Sequence, residues 1–145
     1  MRTLGKTWLT CAALALPALA WAQTLDSKEF GRYEYYSKCA SCHGLAGKGD
    51  GTVAKYLTKA PPDLTTYAKR NGGVFPTQLA WQAIDGRPAA IGAHGTADMP
   101  VWGQEFRRDA IRPADRMDPA GPTPEWYVSM RISALIDYLA SMQVK

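Results

Sequence analysis

Cys39-Ala40-Ser41-Cys42-His43 is the stretch of this chain whose residue types and spacing can do chemistry. Two thiols three positions apart, with a histidine directly after them, form the C-x-x-C-H attachment pattern of a c-type haem. One turn of chain presents both sulfurs, Cys39 and Cys42, to one edge of a porphyrin. It also sets the His43 imidazole under the metal at its centre as the proximal ligand. Rival readings explain less. A Cys39–Cys42 disulfide would enclose only two residues, and a redox-active C-x-x-C belongs beside a βαβ pattern that the following chain lacks. Zinc would have to draw on Cys39, Cys42, His43 and His94. Two of these are sequence neighbours, and no second C-x-x-C or H-x-x-x-H pair exists to complete a tetrahedron.

An iron held by His43 alone is open to small molecules, so the sixth position decides between electron transfer and chemistry on a bound substrate. The candidates are Met99, Met117, Met130, Met142 and His94. Met130 and Met142 sit in or beside a helical pattern and read as packing residues. Met117 falls in a charged stretch, and His94 reads as a loop or surface histidine, five residues before Met99. Met99 is followed by Pro100-Val101-Trp102-Gly103, so a rigid residue and a bulky aromatic surround it.

The elements that must position these residues begin after an export segment. Arg2 and Lys6 precede an apolar run, Trp8 to Leu19, and Ala20-Trp21-Ala22 supplies a small-x-small cleavage pattern, which together read as a secretory signal peptide over 1–22. The run is shorter than the roughly 20 residues of a membrane span. Cys11 lies inside it and is expected to be discarded, so the mature chain is expected to start at Gln23 after export. Of 145 residues, 123 then remain as one domain, 23–145, with Cys39 and Cys42 as its only cysteines and no disulfide framework. The 17 basic residues fall to 15 against 13 acidic ones, a formal +2. That bias is too slight to argue for nucleic acid, though it can steer docking to an acidic protein. Apolar residues are spread thinly between glycines and prolines in a small domain, so a covalent porphyrin would form part of the interior and the chain without it should fold poorly.

Asp26 or Ser27 can cap a helix to about Lys38, on which Gly31, Tyr35 and Cys39 recur every fourth residue. Tyr33, Tyr35 and Tyr36 read as packing. Gly44 to Gly51 alternates glycines and makes a tight loop, without the pattern of a phosphate cradle. A short helical piece follows around Val53 to Leu57, and Thr65 can cap another through Arg70. Thr77 can cap a helix over Gln78 to Asp85 with Gly86 at its C′ position. Leu79 or Ala80, with Ala83 and Ile84, forms its apolar stripe, and Trp81 belongs to the core or to the cofactor's edge. Residues 103–124 mix arginines, aspartates and prolines and read as an extended charged loop. A last helix starts at Thr123 and Pro124, with Ile132, Leu135, Ile136 and Leu139 as its buried face. No stretch alternates like a strand, so the expected class is all-α.

These residues give the chain a resemblance to class I cytochrome c, the small monohaem electron carriers that bacteria export to the periplasm. The matching positions are Gly31-x-x-x-Tyr35-x-x-x-Cys39-x-x-Cys42-His43, Pro62-Asp63-Leu64, Ile84-Asp85-Gly86, Met99-Pro100-x-Trp102-Gly103 and the Leu135 to Leu139 helix. They extend over essentially all of 23–145, and the C-x-x-C-H and M-P-x-W-G pair is the specific part. The resemblance implies several helices and long loops wrapped around one covalent haem c, with the Met99 sulfur as distal iron ligand. It also implies that a proline carbonyl of Pro61-Pro62 accepts from His43 Nδ1, and that the first and last helices cross at Gly31. The implied function is one-electron transfer between periplasmic or membrane redox proteins by a monomeric carrier that is not itself an enzyme. Two other readings stay open: a haem subunit of a larger periplasmic redox enzyme complex, and a weakly ligated haem peroxidase or gas binder. The stretch from Trp102 to Thr123 is longer than the family needs.

Overall fold

The computed structural model describes residues 26–86, 99–111 and 122–144. The export segment 1–22, His94, Met117 and the 112–121 part of the charged stretch lie outside the described residues. Among the described residues all regular structure is helical, as the sequence pattern predicts, and there is no strand.

Helix α1 spans Ser27–Lys38 and opens at Asp26, whose carboxylate accepts from the Lys28 N–H at 2.9 Å. Glu29 in its first turn and Lys38 in its last both complement the helix dipole. Two helices of a single turn follow, α2 at Ala40–His43 and α3 at Tyr67–Arg70, then α4 at Thr77–Asp85. Helix α5 spans Trp102–Ala110, and α6 spans Pro124–Ser141 with Pro124 in its first turn and the Thr123 hydroxyl accepting from the Trp126 N–H at 3.2 Å.

Helices α1 and α6 make the most extensive packing seam, and Gly31 is where it is tightest. A Cβ at Gly31 would run into the Ala134 carbonyl of α6 and lie 3.0 Å from Leu135 N, so only hydrogen fits. Around this crossing Tyr35, Phe106, Ile132 and Leu135 are fully buried. Ala80 and Ile84 of α4 join them, whereas Leu79 is 54 % exposed, which settles the register of the α4 stripe.

The charged stretch departs from expectation. Residues 102–110 are helical rather than loop, because Gly103, Phe106 and Ala110 form a buried stripe while Glu105, Arg107 and Arg108 occupy the wetter faces. The charges at Glu105, Arg107 and Arg108 belong to the wetter side of an amphipathic helix. Two caps also differ. Asp63, not Thr65, caps the 3₁₀ turn Leu64–Thr66: its Oδ1 accepts from Thr65 N at 2.8 Å and Thr65 Oγ1 at 2.6 Å. Thr77 sits inside α4, which starts after Pro76 with no side-chain cap.

A charged network ties α1, α5 and α6 together beside the core. Arg131 donates to Glu34 Oε1 from Nε at 3.2 Å and Nη2 at 3.1 Å, and to Asp109 Oδ2 from Nη1 at 2.8 Å. Its guanidinium lies 4.6 Å from the centre of the Phe106 ring. Among the described residues no helix is long and apolar enough to cross a membrane.

Candidate functional site

The Cys39–His43 segment follows α1 directly, with Cys39 as the turn residue between α1 and α2. Cys39 N–H donates to Tyr35 O at 2.8 Å, and His43 N–H to Cys39 O at 2.9 Å, winding the motif into one further turn. The glycine loop then folds back over it. Gly49 N–H donates to His43 O at 2.8 Å and Gly51 N–H to Cys42 O at 3.1 Å, while the buried Tyr35 hydroxyl donates to Gly44 O at 2.6 Å. Gly49 has φ 82°, and a Cβ there would strike the Pro61 carbonyl. Glycine therefore lets the loop and the Pro61-Pro62 segment close on either side of the histidine.

His43 is 8 % exposed, and its Nδ1 lies 3.4 Å from the Pro62 carbonyl oxygen, at the long end of hydrogen-bond reach. With the proton on Nδ1 donated toward that carbonyl, Nε2 retains the lone pair that a metal needs.

A cavity of about 290 Å³, open to solvent, is lined by Cys39, Cys42, His43, Pro62, Met99 and Trp102 among others. Behind it lies a narrow apolar space of about 30 Å³, again bordered by Cys39, His43 and Met99 and walled by Tyr35, Leu64, Ile84, Leu135 and Leu139. Cys39, Cys42, His43 and Met99, nominated from the sequence at positions up to 60 apart along the chain, thus border one cavity. Met142 does not border it; it packs against the core, close to Gly47. Met130 is likewise absent from both linings. Trp81 packs partly buried against the core and not on the cavity.

Cys39 and Cys42 are unbridged. Burial, with smaller contributions from the charges of Glu34 and Cys42, pushes the Cys39 thiol up to about 12. A disulfide-exchange cysteine needs the opposite shift. Among the described residues no three His, Cys, Asp or Glu side chains form a metal-binding group. The zinc reading therefore lacks a converging donor set in this part of the chain.

Sequence reasoning missed several cavity residues. Lys38, Ser41, Leu57, Lys59 and Ala60 all border it, and the two lysines give its surroundings a positive charge. Only Pro61-Pro62 marked this segment in the sequence; nothing in residues 57–60 announced a wall. Asp85 was noted merely as part of a matching triplet, yet it is buried, with its carboxylate 3.7 Å from Arg107 Nη2. Comparison with protein families, with curated proteins and with solved structures gives no match to this chain.

Proposed function

We propose that this chain is a periplasmic one-electron carrier that holds a single covalent haem c between His43 and Met99. The observation that carries the reading is the cleft: both thiols, the imidazole and the thioether border the same cavity, and Cys39, His43 and Met99 also border a small apolar space. Bound there, a haem iron supplies a one-electron couple, which a neutral thioether ligand biases toward the reduced state.

The chain's own residues account for the rest. Cys39 and Cys42 would hold the haem covalently through their sulfurs. His43 is held in one tautomer by the Pro62 carbonyl, which also tunes its donor strength. Leu64, Ile84, Leu135 and Leu139 keep water from the inner side. Lys38 and Lys59 favour an acidic surface on a redox partner docking at the cavity's open side. With His43 and Met99 both available as ligands, the iron would keep no open position for a substrate, which favours a carrier over an enzyme.

Two measurements test this. The purified exported protein should carry one haem mass on the peptide containing Cys39 and Cys42. In the oxidised state it should show a far-red sulfur-to-iron band that disappears in Met99→Ala. Survival of that band in the variant would remove Met99 from the iron, and a haem-free chain would end the reading.

A further inference from the structure

The Met99 arm is fixed by a seam between the end of α4 and the start of α5. Each side of the seam offers a glycine to the other side's bulk. Gly86, with φ 79°, ends α4, and a Cβ there would strike the Val101 side chain. Gly103, in the first turn of α5, faces the opposite way: a Cβ there would strike the Asp85 carboxylate and lie 2.6 Å from the Asp85 carbonyl oxygen. Asp85 is only 6 % exposed. Burying a carboxylate costs desolvation that an apolar residue would avoid, so its presence calls for a compensating role.

Compensation comes from α5 itself. The Asp85 carboxylate lies against Gly103 at the positive end of that helix dipole, and Arg107 Nη2, one turn further on, is 3.7 Å from Oδ1. Arg107 is held in turn by Glu125 of α6, with Nε to Oε1 at 2.8 Å and Nη2 to Oε2 at 3.2 Å. Asp85 thereby locks the start of α5 onto the end of α4, and Met99 stands two residues before the Val101 that the seam grips.

Resting on the haem reading above, we propose that Asp85 is a positioning residue that holds the Met99 thioether in the cleft through its contact with Gly103 and Arg107. A role confined to general stability would loosen the whole fold; a positioning role loosens the Met99 side while leaving the Cys39–His43 side intact.

The test uses the exported holo-protein, with imidazole as a competing iron ligand. In Asp85→Asn, imidazole should bind the oxidised protein about tenfold more tightly than in wild type, as the fraction with Met99 displaced rises by that factor. The far-red band should weaken, while the haem stays attached to Cys39 and Cys42. Arg107→Gln should move affinity the same way by about threefold, and it decides the matter if Asp85→Asn does not accumulate folded. Ile132→Val removes a methyl from a buried core residue that borders neither cavity, and should change imidazole affinity by less than about twofold despite lowering stability.

Wild-type affinity and band in a folded Asp85→Asn would overturn the proposal. So would a rise in Ile132→Val as large as in Asp85→Asn, since that marks general loosening. A wild-type chain without attached haem would fail the underlying reading itself, whereas attached haem with an unchanged Asp85→Asn fails only the seam.

Discussion

Gly31→Ala is expected to destabilise the protein, although helix propensity alone predicts the reverse. The added Cβ meets the Ala134 carbonyl and Leu135 N, both backbone atoms of α6, so no side-chain rotation relieves the clash. The helices must part by something on the order of 1 Å, and a gap of that size forfeits about a quarter to a half of each contact's attraction. Tyr35, Ile132 and Leu135 are the large hydrophobic side chains of these two helices that are fully buried. At about 1.5–3 kcal/mol for each full burial, the loss is about 2–3 kcal/mol. Alanine returns about 1 kcal/mol through propensity, leaving a net cost of about 1–2 kcal/mol. Thermal unfolding followed by circular dichroism should then show a Tm lowered by about 4–8 °C for a chain of this size. A Gly31→Ala protein that melts at or above wild type would mean that the crossing can yield, and the close-approach argument would fail.

Thr123→Ala removes the hydroxyl that accepts from Trp126 N–H and should cost about 1 kcal/mol in urea unfolding. Arg131→Met strands Glu34, which is 1 % exposed, and should cost about 3–5 kcal/mol; adding Glu34→Gln to it should recover part of that loss. The Asp63 carboxyl is held below the ordinary carboxylate range, first by the Thr65 hydroxyl and also by the Thr65 N–H and the charges of Lys48 and Arg70. Its stabilisation is therefore complete above the ordinary carboxyl range and is lost as pH falls through the lowered folded value. Melts across the acid range should show the gap between wild type and Asp63→Asn narrowing in that window, and a constant gap would refute the assignment.

Local chemistry was legible in the sequence wherever one residue decides a backbone feature. Asp26 and Thr123 are the caps that their types suggest, and Gly86 takes the left-handed conformation at the end of α4. The cap at Asp63 was missed because Asp63, Thr65 and Thr66 are all capping types within four residues. Only the fold shows which oxygen reaches which N–H. Helix α5 was hidden for a different reason. Its stripe consists of a glycine, one phenylalanine and an alanine, so hydrophobicity hardly marks it, and the flanking arginines and acids dominate the composition. The cleft was nominated residue by residue, but its wall at Leu57 to Ala60 and the burial of Asp85 are tertiary facts. An aspartate in solution and one packed on a glycine have the same letter.

The two sides of the cleft are built from contacts of different range, and this bears on how they fail. On the Cys39–His43 side, the turn and its glycine loop are joined mainly by bonds between residues no more than about twelve positions apart, so closing them costs little chain entropy; only the Pro62 carbonyl reaches His43 from 19 positions away. The Met99 side depends on α4 meeting α5 across residues 86 to 101 and on Arg107 reaching Glu125, 18 positions away. Stability is unequal across a fold, and segments with the lowest local contact density open first. On the haem reading, the covalent bonds thus fall on the side that needs no help to stay near the iron. The thioether side has no covalent tether and relies on Gly86, Gly103 and Asp85 to keep its place. Sequence change at those three positions should therefore alter the ligand field of the iron while leaving the attachment of the haem untouched.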